Sequence, residues 1–402
     1  MKNPNKYDGN ELKYIKQVLE AESWSATEGS WTGNLEKEFA RRFNANHGIA
    51  FNSGTSTLHA ALEAVGVKAG DEVISPAFTV IMNTSSTLHA NAIPVYADVL
   101  EDRYTIDPED IEKKITPRTK AICVVSIYGL PCEMDEIMHI SNKYGIPVIE
   151  DNAECFTSTY KGQSTGTIGH MASYSFENSK HMSCGEGGML ITNHEHLAKL
   201  ARKVGGHGFK NLQADEGRVK LNLDVFQNPN FKRHDTLGWN YRLSEFLSAI
   251  ALAQLENLDQ IVERRIQSAN KFIKAIENCD FLTAQYVPDY STNSYWAMGF
   301  LYDGQEKIGV SWEQFRKEYM SNGGDGIYGA WSVPYLEPLM SQRSYVSRLP
   351  HVYKDTFYKP GLCPVAEKIQ SKMMVFKTNY RDMKLADVKA AALSKTIEKF
   401  TK

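Results

Sequence analysis

The 402-residue sequence is poor in the features that mark several protein classes. It has six cysteines (Cys123, Cys132, Cys155, Cys184, Cys279 and Cys363), scattered and without any Cys-x-x-Cys pair. Disulfide frameworks belong to short secreted chains, and zinc sites need closely spaced ligands, so the spacing argues against both and no metal is expected. No stretch approaches the ~20 apolar residues that a membrane-spanning helix requires. The first residues contain no apolar run of the secretory type, and a reduced, cytoplasmic protein is expected. Lys plus Arg (45) nearly balances Asp plus Glu (48), so no global positive field points to nucleic acid or an anionic membrane. Ordinary Gly and Pro contents exclude collagen-like and largely disordered chains, and internal repeats and low-complexity tracts are lacking. What remains is a chain long enough to bury sizeable cores without disulfides.

Hydrophobic periodicity then supplies an order of elements. Leu35, Phe39 and Phe43 share one face of a helix over 34–43. A strand, His47 to Phe51, runs into Asn52-Ser53-Gly54-Thr55-Ser56, followed by helical spacing at Leu58, Ala61, Leu62 and Val65. Strands over 72–75, 94–97, 121–127 and 147–150 alternate with helices over 79–90 and 133–144. Strand-like 172–176 and 189–192 precede a helix from about 195. Continuous apolar strands interleaved with helices predict a mostly parallel sheet covered on both faces. The polar stretch 208–237 reads as a long excursion, and from Ser244 a helical run through Ile276 leads towards a second domain of about 140 residues. There, 296–301 is strand-like, and 311–320 and 382–400 are helical.

Four segments carry candidate chemistry. Ser53-Gly54-Thr55-Ser56 at a helix start could cradle a phosphate on backbone N–H groups and hydroxyls, although Ser/Thr capping explains the same residues. Asp151, where Val148-Ile149-Glu150 ends, stands beyond a strand's carboxyl end, where open parallel sheets bind ligands; a turn-stabilising Asp is the plainer reading. Lys180 lies between Ser175-Phe176 and Gly185-Glu186-Gly187-Gly188. A lysine shielded from water has a lowered pKa and serves as a Schiff-base nucleophile, whereas a surface lysine is the default reading, less ordinary in this boxed setting. His181 reads as a structural neighbour, and Cys184, with no activating base nearby, as a packed residue. The fourth segment, Gly238-Trp239-Asn240-Tyr241-Arg242, enters the long helix with Ser244 as its cap.

In order and spacing these segments resemble the DegT/DnrJ/EryC1/StrS family of sugar aminotransferases, from about Trp31-Thr32-Gly33 to the C-terminal helix. The resemblance implies the α/β fold of pyridoxal-phosphate (PLP)-dependent transferases of fold type I. A large domain, 1–257, would hold a mostly parallel seven-stranded sheet flanked by helices, and 258–402 a smaller α+β domain. It also implies that Lys180 forms the internal aldimine and then, as a freed amine, moves a proton. Asp151 would face the pyridine nitrogen. Gly54, Thr55 and Ser175, with Ser56 from the same helix start, would hold the phosphate. Glu154 falls beside the cofactor, at a place where the family carries Gln, His or Glu. Asn240 would reach the neighbouring subunit's cofactor, giving a homodimer with shared active sites, with Arg242 supporting the same loop. Val80 occupies the place of the family's aromatic ring-stacking residue, leaving Phe78 or another group as the substitute. Met373-Met374-Val375-Phe376-Lys377 and the long stretch around Asn228-Pro229-Asn230 also depart from the pattern.

The implied function is a two-step amino transfer through pyridoxamine phosphate, from L-glutamate to a nucleotide-linked keto-deoxysugar. A keto-inositol or small phosphorylated ketone as acceptor, L-glutamine as donor, and a non-catalytic cofactor-binding protein are the alternatives. A dehydratase branch carries His at the lysine position, against which Lys180 argues. Trp31, His207, His234, Tyr335 and His351 could meet a substrate, each with a structural role as its alternative.

Overall fold

The computed structural model describes residues 4–21, 30–215 and 221–401. Of the expected excursion over 208–237, residues 216–220 lie outside the described residues.

The strands, in chain order, are β1 (His47–Phe51), β2 (Glu72–Pro76), β3 (Ile93–Ala97), β4 (Thr119–Val125), β5 (Val148–Asp151), the short β6 (Thr159–Tyr160) and β7 (Gln163–Ser164), β8 (Met171–Ser175), β9 (Gly188–Thr192), β10 (Leu282–Ala284), β11 (Ala297–Tyr302) and β12 (Met373–Lys377). Seven of them form one sheet in the order β1-β9-β8-β5-β4-β2-β3. Pairings from β3 through β8 are parallel, and β9 runs antiparallel to both β8 and β1. β2, β8 and β9 are buried along their whole length, as strands of a sheet covered on both faces must be. One face packs under the helices Gly54–Ala64 and Glu195–Gly205, through Leu58, Leu62, Ala198 and Ala201. The other packs on Met134–Tyr144 and Pro108–Lys114, through Ile111, Ile137 and Ile140. Phe39 of the helix Ser30–Arg42 and Phe43 just beyond it join Phe156, Tyr174 and Phe176 in an aromatic cluster beside Glu245–Glu256.

A second core surrounds the antiparallel sheet β10-β11-β12, formed with the helices Leu258–Ala275, Trp312–Ser321 and Met383–Thr401. A third apolar cluster contains residues of both parts, with Phe78, Tyr96, Tyr104 and Tyr128 beside Ala297, Tyr335, Cys363 and Val375. Among the described residues, no helix is long and apolar enough to cross a membrane.

Local chemistry sets the ends of these elements. Ser53, Ser244 and Ser311 each accept a backbone N–H from the first turn of the helix that follows. Gly145, at φ +68, ends Met134–Tyr144 in the left-handed conformation that closes many helices. Most expected elements are present, with shifts that have physical reasons. The helix expected from 79 starts at Met82, because Ala77 to Ile81 form the bend leaving β2. The strand expected through Ile127 stops at Val125, where Ser126 begins a tight turn with Tyr128 at φ +58. β12 forms from the Met-rich segment and completes the second sheet, and Pro108–Lys114, capped by Asp107, is an element the periodicity did not reveal.

One ion pair is deeply placed within the larger core. Arg202 on Glu195–Gly205 donates to both carboxylate oxygens of Glu36, each at 2.9 Å, and to the carbonyls of Gly48 and Ala214. Glu36 in turn accepts the backbone N–H of Ala50 at 2.8 Å. Removing one partner strands a buried charge, so Arg202→Met is expected to cost about 3–5 kcal/mol in urea unfolding, with much of the loss recovered in Glu36→Met/Arg202→Met. Equal stabilities for Arg202→Met and the parent protein would contradict this.

Candidate active site

The parallel strands deliver their polar ends to one edge of the sheet. β5 ends in Asp151, followed by Asn152 and Glu154, all three buried. Asp151 Oδ2 accepts from Asn83 Nδ2 at 2.9 Å and Oδ1 from the N–H of Ala153 at 3.1 Å. Asn83 comes from the helix after β2, so a neighbouring strand–helix connection orients the carboxylate. Burial pushes the Asp151 carboxyl above its ordinary range, opposed by those two donors and by the charge of Lys180. A carboxylate at a sheet edge with a raised pKa calls for a cation.

Glu154 makes a second buried carboxylate. Its Oε2 accepts the N–H of Tyr128 at 3.1 Å, and its Oε1 lies 3.2 Å from Lys180 Nζ. Burial raises its pKa, and Lys180 is the largest opposing influence. The Lys180 side chain is 13% exposed and its ammonium sits 4.3 Å from the centre of the Trp296 ring. Trp296 stacks on Tyr128 and Trp331, and the indole rings of Trp296 and Trp331 are 5.8 Å apart. Trp296, Trp331 and Tyr328 line a cavity of about 490 Å³ that Ser179, Arg265, Lys377 and Asn379 also border. Arg265, buried on Leu258–Ala275, ties the lysine's loop to the second sheet: it donates to the carbonyls of Ser179, Lys180 and Trp296 and to Thr378 Oγ1.

The helix start after β1 supplies the donors. Ser53 and Ser56 form a reciprocal cap, and the Ser56 hydroxyl also reaches Asn52 Oδ1 and the carbonyl of Ser53. Both the amide and hydroxyl of Ser56 are therefore engaged within the chain. Among the described residues, the amides of Gly54 and Thr55 and the Thr55 hydroxyl have no partner. A Cβ at Gly54 would stand 2.9 Å from Ser175 Cβ, so only glycine lets the helix start approach the end of β8 this closely. Orphaned donors beside a Ser hydroxyl, a buried carboxylate and a shielded lysine fit the phosphate, ring nitrogen and aldehyde carbon of PLP.

The remaining candidates separate clearly. Glu150 accepts the N–H groups of Gly166, Ile168 and Gly169 and holds the β6–β8 connection. Cys184 donates to the carbonyl of Glu186, with its thiol pushed up to about 12 by burial. Phe78 packs edge-on against Tyr104 and Tyr128. Asn240 is exposed, and its side-chain amide has no partner among the described residues, while its loop is pinned by backbone bridges of Gly206 with Asn240 and of Phe51 with Arg242. Tyr335 is buried with its hydroxyl 2.5 Å from Glu367, and His234 Nδ1 lies 2.7 Å from the carbonyl of His207. Asn83, Tyr128, Trp296, Trp331 and Arg265 enter the site unannounced, since each is distant in sequence from the motif it supports.

A profile of the DegT/DnrJ/EryC1/StrS aminotransferase family matches residues 5–393. GDP-perosamine synthase of Escherichia coli O157:H7 is 33% identical over 270 residues, covering 67% of this chain and 69% of its own length. The Caulobacter vibrioides protein of the same name is 37% identical over 260 residues, 64% of this chain and 65% of its own. Of solved structures, an aminotransferase from Psychrobacter cryohalolentis superposes at a TM-score of 0.87 with 26% identity, covering 100% of both chains.

His181, next to the lysine, is buried and held neutral, its pKa far below the ordinary 6.5 because of burial and then the nearby Arg265. Its Nε2–H donates to the carbonyl of Ser294 at 2.9 Å. The unfolded chain takes up a proton at this imidazole below pH 6.5 and the folded chain does not, so stability is lost as pH falls through that value. His181→Gln should remove an acid-side loss of about 1.4 kcal/mol per pH unit, visible in urea midpoints between pH 6.5 and 5. Parallel pH profiles for the two proteins would refute the buried neutral state.

Proposed function

The chain belongs to the DegT/DnrJ/EryC1/StrS aminotransferase family, and on that premise we propose that it moves an amino group from L-glutamate to a nucleotide-linked keto-deoxysugar. It is a PLP-dependent aminotransferase. The acceptor class rests on relatives named GDP-perosamine synthase. The observation that carries the reading is one lysine placed between a buried carboxylate and an indole, with a second buried carboxylate close by.

PLP, when bound, supplies an electron sink for the carbon from which a proton is removed. The protein's residues do the rest. Gly54 and Thr55 offer their amides, and Thr55 and Ser175 their hydroxyls, to the phosphate. Ser56 closes the helix turn that aims those amides. Asp151, oriented by Asn83 and Ala153, would keep a proton on the ring nitrogen. Lys180 Nζ would hold the cofactor through its aldehyde carbon and, once released as a free amine, would take up and return the transferred proton at Nζ. Glu154 anchors that amine by hydrogen bond and charge, and Trp296 closes its other side and excludes water. Phe78 belongs to the aromatic group beside this edge. Asn240, presented outward, reaches the cofactor phosphate of a second copy, which makes the functional unit a homodimer of two-domain chains divided near residue 257.

The alternative acceptors, keto-inositol and small phosphorylated ketones, use the same residues and differ only in what fills the cavity by Trp331. A dehydratase would place His where Lys180 stands.

Adding L-glutamate to the purified holoenzyme should convert the pyridoxal absorbance to that of pyridoxamine phosphate, and a GDP-linked 4-keto-6-deoxysugar should restore it. Lys180→Ala should retain cofactor and lose amino transfer by at least about 10³-fold, as expected for a general base that also holds the reacting group; an active variant would overturn the assignment. Mixing Lys180→Ala with Asn240→Ala subunits should recover activity that neither has alone, because the mixed dimer keeps one complete site. No recovery after verified subunit exchange would argue against shared sites.

A further inference from the structure

Behind the lysine's loop lies a second cavity, of about 380 Å³, which the amino-transfer reading does not use. Lys6, Arg264, Arg265 and Arg381 border it, against one lining carboxylate among the described residues, Asp8. Among the described residues, no carboxylate forms an ion pair with Lys6, Arg264 or Arg265. Lys6 Nζ is satisfied instead by the carbonyls of Asn178 at 2.6 Å and Lys180 at 3.4 Å, and Arg265 also donates only to carbonyls and one hydroxyl. Glu177 and Glu154 attract these cations from further away. Burial, followed by Arg265 and Arg381, lowers Lys6 to about 8; burial, followed by Arg381, lowers Arg265 to about 9. Lys6, Arg264 and Arg265, gathered with no ion-paired carboxylate among the described residues, repel one another, and an anion joining them offsets that cost.

Two further atoms narrow the chemistry. His181 and Gln254 are both 1% exposed and line the same cavity. His181 donates through Nε2 to Ser294, which leaves Nδ1 as a buried acceptor with no partner. Gln254 donates through Nε2 to Glu11 at 2.6 Å and to the carbonyl of Lys6 at 3.3 Å, which leaves Oε1 in the same condition. A ligand that suits the whole wall is an oxyanion for the cations that brings its own O–H for the acceptors. Monohydrogen phosphate and a singly protonated phosphate ester meet that description; chloride does not.

We propose that this cavity is a phosphate-binding site, separate from the cofactor cradle at Gly54, and that its occupant braces the Lys180 loop. The anion holds Lys6 and Arg265 in place, and these two cations grip the carbonyls of Asn178, Ser179 and Lys180. Only the effect on amino transfer rests on the assignment of Lys180; the binding site does not.

The test uses the holoenzyme after borohydride reduction, which fixes the cofactor so that added phosphate cannot exchange with it. Calorimetric titration with inorganic phosphate, against chloride at equal ionic strength, should show one saturable site per chain. Lys6→Gln and Arg264→Gln should each weaken it by about tenfold or more while leaving the cofactor content unchanged. Phosphate should also slow amide hydrogen exchange over residues 177–185 in the parent protein and not in the variants. A second titration with GDP separates the sources. Competition with phosphate assigns the site to phosphoryl groups of a nucleotide substrate, and lack of competition assigns it to free phosphate. No saturable uptake, or equal affinity in parent and variants, would overturn the proposal. The glutamate-driven absorbance change, read on unreduced samples of the same proteins, fails or succeeds independently of this result.

Discussion

Two carboxylates, Asp151 and Glu154, are buried within one turn of chain at the end of β5, and Lys180, paired with Glu154, is the cation that offsets both. Isolated carboxylates in such surroundings are costly, and burial raises the pKa of both. The surrounding structure answers that cost with donors from every side: Asn83 and Ala153 to Asp151, Tyr128 N–H and Lys180 to Glu154. The left-handed turn at Tyr128 is part of this arrangement, since it directs the amide towards Glu154. A cationic ring nitrogen would supply the charge that Asp151 still lacks. The apoprotein is thus built around a deficit that the cofactor family shared by its relatives can fill.

That construction explains what could be read from the sequence. Regular elements were legible because the sheet is covered on both faces, so its strands are short, mostly buried runs without polar–apolar alternation, set between helices of clear periodicity. The motif at Ser53 to Ser56, the acidic strand end at Asp151 and the boxed Lys180 were legible because each is a local signal: a cap, a strand terminus, a Gly-rich step. The capping reading and the cradle reading of the first motif describe the same four residues. Ser53 and Ser56 close the cap, and the orphaned amides of Gly54 and Thr55 are what the cap presents.

The residues that complete the site left no such signal. Asn83 lies in an unremarkable polar helix, and Trp296 and Trp331 belong to parts of the chain more than a hundred residues beyond Lys180. Their roles come from tertiary packing: a parallel crossover for Asn83, and the apolar cluster shared between the two parts for the aromatic wall. Arg265 shows the limit most clearly. On the sequence it is one of two adjacent arginines on an amphipathic helix, a pattern that usually marks a solvated face, and in the fold it is buried and bonded to four main-chain or hydroxyl oxygens.

The bonds made by Arg265 also set a schedule for synthesis. The lysine's loop, at Ser179 and Lys180, is held by a residue made 85 positions later, which itself bonds to Thr378, a further 113 positions on. Domains tend to fold as they leave the ribosome, N-terminal parts first. The large sheet is complete in sequence by Thr192, yet the lysine is not fixed until the closing strand and Thr378 have emerged. A nascent chain that has not yet reached Thr378 therefore possesses the whole cofactor-facing sheet edge and still lacks the bonds that fix the lysine's loop, so that the reactive amine is positioned only after the second sheet has been made.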